Sequence, residues 1–448
     1  MGATYDFTAI AMKNGAAADT GGIFSRLGGV TLNNNGEVVF VGQIQGDGID
    51  SSNDFGIFKS NGASTSVVAR EGEAVGGTGT TLAASPFGDF GGASLNDNGE
   101  VTFLSRLNGA GVNSSNDLGV FKADGNGLEL VARTGDSAPG TGAVFSDFDG
   151  LNIDGRGDVT YLGKFDGGGV APGASGIFKS SGSGSNAVAV AGEATGSAGE
   201  VFLGFSTPSA NESGGVAFRG DLAAGGTLSD HGIFRSNGGA TSEVVRSGES
   251  APGTGSVFSG FGGTPSLNDN GDVAFSSFLQ GAGVGILDNQ AIYRTDGDDL
   301  TLLARTGQQA SGTNLNFLDF GAPSLNNNGD VAFFASLNDS AYSQPSVSGI
   351  FVSVNDEIDL VLRQGDMLDV GGGDLREVSR FFFLLNAFND QGALALSIFF
   401  ADGSNGLFLA SRSTPLLSGF AAPVPLPAAL PLFIVALGAF GFLKSRRK

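Results

Sequence analysis

The chain has 448 residues and a formal net charge of −22; it contains 77 glycines, 37 phenylalanines, 4 tyrosines, one histidine and neither cysteine nor tryptophan. This composition excludes disulfides, thiolate metal sites and a histidine-based metal cluster, and a body this acidic is repelled by nucleic acid and anionic lipid. Apolar residues still make up 40% of the chain, enough to bury a core between its many glycines.

In chain order, the N-terminus MGATYDFTAIAMK has no basic region and no sustained apolar stretch, so no signal peptide is read there. Asp6 also breaks the myristoylation pattern. Set beside the export-type tail described below, this leads us to expect a start codon further upstream.

From residue 9 onward a set of short segments recurs. One mark reads NNNGEVVF at 33–40, NDNGEVTF at 96–103, NDNGDVAF at 268–275 and NNNGDVAF at 326–333, with weaker copies at 154–161, 211–218 and 389–396. Its glycines are Gly36, Gly99, Gly157, Gly214, Gly271, Gly329 and Gly392, spaced by 57 to 63 residues. A second mark follows, as in GIFKS at 56–60 and GIFRS at 232–236, and a third reads VAREGE at 68–73 or VARTGD at 131–136. The seventh copy of the third mark is missing at the C-terminal end, and AIAMKNG at 9–15 aligns with it instead. A fourth segment of the form FxxFxxPSL precedes each asparagine turn, most clearly at 258–267 and 317–325.

Alternation such as Val273 and Phe275 inward against Ala274 and Ser276 outward is the period of a β-strand, and Asn-Gly steps between such runs mark hairpins. Four strands in each of seven repeats is the arithmetic of a seven-bladed β-propeller over residues 1–412. The offset start then lets the N-terminal strand complete the last blade and remove the open edges. The alternatives are a β-solenoid, whose coils are usually shorter, and a string of sandwiches that would be marginal at this size.

Candidate sites are sparse. Turns such as Asn268, Asn270, Gly271 and Asp272 resemble calcium loops but lack the bidentate Glu at the twelfth position, so the hairpin reading leads. Weak calcium binding at an acidic loop such as Asp47, Asp50 and Asp54 is the one cofactor expectation. The recurring Arg70, Arg133, Arg246, Arg305 and Arg363 are read as pairing with carboxylates in or next to their blades, in preference to lining a channel that binds anions. His231, beside Asp230, is read as an exposed loop residue. No serine elbow accompanies it, and no pair among 45 acidic residues stands out as a glycosidase dyad. The absence of tryptophan argues against a carbohydrate-stacking cleft.

After Arg412 the composition changes. Residues 413–427 form a charge-free linker with four prolines, 428–443 are apolar and read as a transmembrane helix of about 24 Å, a little short of a ~30 Å hydrocarbon core, and 444–448 are basic. Lys444, Arg446, Arg447 and Lys448 would stay on the cytoplasmic side, leaving residues 1–443, with about −26 of charge, to face outward or lie in the membrane. Val424, Pro425, Leu426 and Pro427, followed by the apolar run and the basic cluster, make the tail resemble the PEP-CTERM sorting signal. In that family the third motif position is usually Glu, where this chain has Leu426. The resemblance covers about 25 residues. It implies processing by an exosortase, transient anchoring in the inner membrane and delivery to the surface of a Gram-negative bacterium that makes exopolysaccharide; an ordinary single-pass anchor is the plainer reading.

The expectation is therefore an exported, non-enzymatic scaffold or binding propeller of the cell surface, extracellular matrix or biofilm, with exopolysaccharide as a candidate partner. An exported hydrolase with carboxylates on propeller loops and a calcium-dependent adhesin are the alternatives.

Overall fold

The computed structural model describes residues 4–413 except 84–91, 183, 197–198, 225–226 and 339–345. The expected transmembrane helix at 428–443, the sorting motif and the basic cluster lie outside these residues. No helix among the described residues is long and apolar enough to cross a membrane.

Residues 4–412 form seven antiparallel sheets arranged as the blades of a propeller. Blade 1 spans 16–70, blade 2 spans 74–133, blade 3 spans 137–190, blade 4 spans 200–246, blade 5 spans 250–305 and blade 6 spans 316–363. Blade 7 combines residues 367–412 with the N-terminal strand Tyr5–Met12, which pairs antiparallel with Asn405–Arg412. This is the closure that the offset repeat predicts: Tyr5–Met12 becomes the outer strand of blade 7 and joins the two ends of the ring.

Each blade holds the four repeat segments in order. To these most blades add a short fifth strand that four-strand arithmetic does not foresee, such as Ser137–Ala138 against the start of Ala143–Ile153. The innermost strand carries the FxxF segment, and the next two carry the Asn-Gly and GIF marks.

The strands are apolar on both faces, because every blade is sandwiched between two others. Ala274, expected to face outward, has no exposed surface, and Ser276 is also buried. The core therefore lies between blades. Val39, Ile57 and Ala69 of blade 1 pack against Leu82, Phe103 and Phe121 of blade 2. Ala274, Ile292 and Ala304 of blade 5 meet Phe317, Phe333 and Phe351 of blade 6 in the same way. One face of each blade is thus aromatic and the other is small and branched, which accounts for much of the phenylalanine in the composition.

Within blade 1 the rings of Phe24, Phe40 and Phe58 lie 4.9 to 5.7 Å apart in edge-on and stacked pairs. Each such pair contributes about 1 kcal/mol beyond its area burial. The glycine of the second mark makes room for this packing: a Cβ at Gly119 would lie 2.7 Å from the Phe121 ring.

Candidate functional site

The seven turn glycines meet at one end of the axis, and every one has positive φ, between 74° and 88°. The turn Asn33–Gly36 closes with Gly36 N donating to Asn33 O at 3.2 Å. Glycine alone takes the left-handed conformation here; the asparagines serve through their side chains. Asn33 Oδ1 accepts from Asn35 N and Glu37 N within its own turn, and Asn33 Nδ2 donates to Asn96 O of the next blade at 3.0 Å. Asn96 donates to Asp154 O, Asn211 to Asn268 O, Asn268 to Asn326 O, Asn326 to Asn389 O, and Asn389 to Asn33 O. The bonds run round the axis with one gap, between Asp154 and Asn211. Asparagine suits this because one amide accepts within its turn and donates to its neighbour, and these side chains are buried, where an unmade bond is costly.

Blade 3 breaks the pattern with Asp154, which has no amide to donate. Lys179 compensates: its Nζ lies 2.6 Å from the fully buried Asp154 carboxylate and donates to Gly214 O at 2.9 Å. The cations of the second mark are staples of the same kind elsewhere. Lys59 reaches Gly99 O at 3.1 Å and Arg235 reaches Gly271 O at 2.7 Å, each in the following blade.

The second turn position points inward and carries Asn34, Asp97, Gly155, Glu212, Asp269, Asn327 and Asp390. Asn34 donates to Asp97, Asn327 to Asp269 and Asp390, and Asp390 N to Asn34 Oδ1. Glu212 fills the space that Gly155 leaves, where a Cβ would lie 2.8 Å from Glu212 Oε2, and accepts from Asp97 N at 3.2 Å. Burial, and then the nearby Asp97 carboxylate, push the Glu212 carboxyl up to about 8. This end of the axis is a hydrogen-bonded plug around a space of about 90 Å³.

Further along the innermost strands the axis widens into a cavity of about 570 Å³. That volume falls within the ~300–1,000 Å³ usual for small-ligand pockets. Thr31, Asn152, Thr207, Thr264 and Asn386 line it with hydroxyls and amides, alongside apolar walls such as Phe55 and Leu384. Asn386 Nδ2 donates across the ring to Asn152 Oδ1 at 2.7 Å. Among the described lining residues Arg26 and Asp149 are the two charged groups.

The rim on this side is where the blades differ. One cross-strand pair occupies the same register in six of the blades: Arg26 and Gln43, Asp147 and Lys164, Gly204 and Asp221, Gly260 and Phe278, Asp319 and Ser336, Arg380 and Phe399. No two of these pairs match. At the plug the same strands are nearly uniform, so variation is concentrated beside the cavity.

Of the residues singled out from sequence, the third-mark arginines stay away from the cavity. Arg70 Nε donates to Asn53 O at 2.7 Å and Arg305 Nε to Asp288 O at 2.8 Å, clamping a loop of their own blade. Arg133 makes the same bond to Asn116 O. Arg246 and Arg363 also meet carboxylates, at Asp230 and Asp366. His231 lies in a strand, Thr227–Ser236, and not in a loop; its Nδ1 is 2.9 Å from Asp221 Oδ1. Asp50 and Asp54 are used within their own blade, by Ser52 and Gln43. Among the described residues no group of three or more acidic or histidine side chains converges to hold a metal ion.

A closed ring of seven blades with a blind axial cavity defines the class: a β-propeller with one plugged and one open end. The chain belongs to a family of unknown function, DUF7453, whose profile matches residues 3–172 and again 149–414. No curated protein matches it. Among solved structures it is similar to the acylaminoacyl peptidase of Pyrococcus horikoshii, at 10% identity and a TM-score of 0.47, over 87% of this chain and 52% of that one. The chain thus spans about half the length of that peptidase. It is also similar to the β-propeller domain of the trilobed protease from Pyrococcus furiosus, with 10% identity, 88% and 100% coverage and a TM-score of 0.47. A third similar structure is a family PL25 ulvan lyase, with 12% identity, 92% and 96% coverage and a TM-score of 0.38.

Proposed function

We propose that this propeller is a non-enzymatic binding module of the bacterial surface or extracellular matrix, holding its ligand in the axial cavity. The observation that carries this reading is the divergence of the rim pairs. Repeats that stay alike at the plug and in the core, yet differ at each of the six blades where the rim pair is described, suit recognition there. Asp149 is the one carboxylate among the described cavity-lining residues, and acid–base hydrolysis by paired carboxylates needs two. This favours binding over the hydrolase alternative.

The reading extends to delivery. The tail's resemblance to exosortase substrates supports export, brief anchoring in the inner membrane and release in an exopolysaccharide-producing envelope, and the acidity of the body suits an outward location. Titrating the protein with polysaccharide fragments by calorimetry tests the binding function. Saturable binding without product formation is expected, and turnover abolished by Asp149→Asn would replace the binding module with the hydrolase. Delivery is tested by fusing residues 414–448 to an exported reporter, whose tail should be removed only in cells that contain an exosortase.

A further inference from the structure

We infer that the open rim between blades 7 and 1 is a subsite for an acidic saccharide, with two arginines holding carboxylates and phenylalanine faces stacking on the sugar ring. This rests on the axial cavity being the binding site and adds the ligand's chemical class.

Arg26 and Arg380 occupy the same register position in adjacent blades, opposite Gln43 and Phe399 respectively. Both are exposed, and among the described residues neither forms an ion pair, although the chain carries 45 acidic residues against 23 lysines and arginines. Most other cations are engaged: Arg106 with Asp117, Lys164 with Asp147, Arg376 with Asp374 and the clamps and staples above with carboxylates or carbonyls. Arg26 lines the axial cavity and Arg380 stands at the equivalent position of the adjacent blade, so two guanidiniums without an ion pair among the described residues lie on neighbouring blades of an acidic body. A guanidinium presents paired donors that match a carboxylate, so the arrangement selects an anion with that geometry.

The aromatic part belongs to blade 7 alone. Phe382 is 53% exposed and meets Phe399 edge-on at 5.7 Å. Arg380 lies over the Phe399 ring at 4.4 Å and beside Phe382 at 5.9 Å, which fixes the guanidinium next to an uncovered ring face. The corresponding position to Phe382 in blade 1 is Gly28, whose carbonyl accepts from Ser397, the register partner of Phe382. Two residues beyond Phe382, Leu384 enters the cavity wall. The platform is therefore continuous with the cavity and its threonine and asparagine lining. Flat apolar faces, hydroxyl-seeking amides and carboxylate-seeking guanidiniums on one surface are the complement of a uronate sugar. In this tryptophan-free chain the stacking would fall to phenylalanine.

The test is calorimetric titration of the full chain with oligomers of galacturonate, alginate and hyaluronan, each beside its carboxyl-reduced counterpart. At least one acidic oligomer is expected to bind, with its reduced form weaker by about tenfold or more. Arg380→Ala and Arg26→Ala should each lower affinity for the acid to a similar extent while leaving the reduced form unaffected. Arg380→Lys should recover part of the loss and Phe382→Ala should weaken both forms. Unchanged thermal midpoints would confirm that the variants fold. Equal binding of acid and reduced forms overturns the acidic-ligand inference and leaves the cavity as a neutral saccharide site, as does acid binding indifferent to both arginine substitutions. Binding by no oligomer overturns the subsite and the saccharide reading of the cavity together.

Discussion

The two ends of the propeller axis are built from the same strands and do opposite things. At the plug, six of the seven turns use an asparagine amide to tie their blade to the next, and the gap in blade 3 is repaired by Lys179. At the open end, the positions a few residues earlier along the innermost strands carry arginine, aspartate or glycine, with little bonding between blades. The difference teaches a division of labour: repetition secures the ring at one end so that the other end is free to vary.

Breaking the plug should cost most where it leaves a charge buried. Lys179→Met strands the fully buried Asp154 carboxylate, and a loss of about 3 kcal/mol is expected, seen as a lowered urea midpoint. Asn389→Ala removes the donor that returns the ring to Asn33 and the acceptor that serves Gln391 and Ala393. About 2 kcal/mol should be lost, by the same measurement.

Glu212 provides a pH test of the same end. Its carboxyl is raised to about 8 in the folded state from an ordinary 4.5, so the fold holds a proton that the unfolded chain has released. That contribution is full at acid pH and falls as pH rises between those two values. Glu212→Gln keeps the oxygen that accepts from Asp97 N. It should melt increasingly above the unsubstituted protein as pH rises through that window, with the gap closing on acidification. A constant gap would mean that Glu212 is not held protonated.

Smaller effects sharpen the contrast. Lys59→Met breaks a partly exposed staple to Gly99 O and should cost no more than about 1 kcal/mol. Arg380→Ala at the open rim should change the urea midpoint least, within about 0.5 kcal/mol, since the side chain is exposed. A large loss there would put the rim in the same structural class as the plug and remove the division between the ends.

Much of the architecture was legible in the sequence because a blade is a local unit. The 57- to 63-residue spacing counted the blades, and the offset of AIAMKNG foretold the pairing of Tyr5–Met12 with the last strand. What stayed hidden was whatever acts between blades. Asn33 and Lys59 look like turn and strand residues in their own segment, and their partners at Asn96 and Gly99 lie in the following repeat. Period-two alternation misassigned Ala274 because it assumes one wet face, whereas a blade has none in its middle. The rim escaped for a different reason: searching for what repeats draws the eye from columns that do not, and Arg26 and Arg380 sit in such a column. Aligning the seven copies and marking their disagreements would have found it.

The clasp between Tyr5–Met12 and Asn405–Arg412 also sets the timetable by which the ring comes into being. Blades 1 to 6 each assemble from contiguous chain and can stack as they emerge, whereas Tyr5–Met12 must wait for Asn405–Arg412. Until then the nascent protein carries Tyr5–Met12 unpaired and an uncovered face at its growing front, the two surfaces most apt to recruit a stranger. A chain halted anywhere before Asn405 stays a horseshoe, and its final eight strand residues act as the latch that turns six finished parts into one.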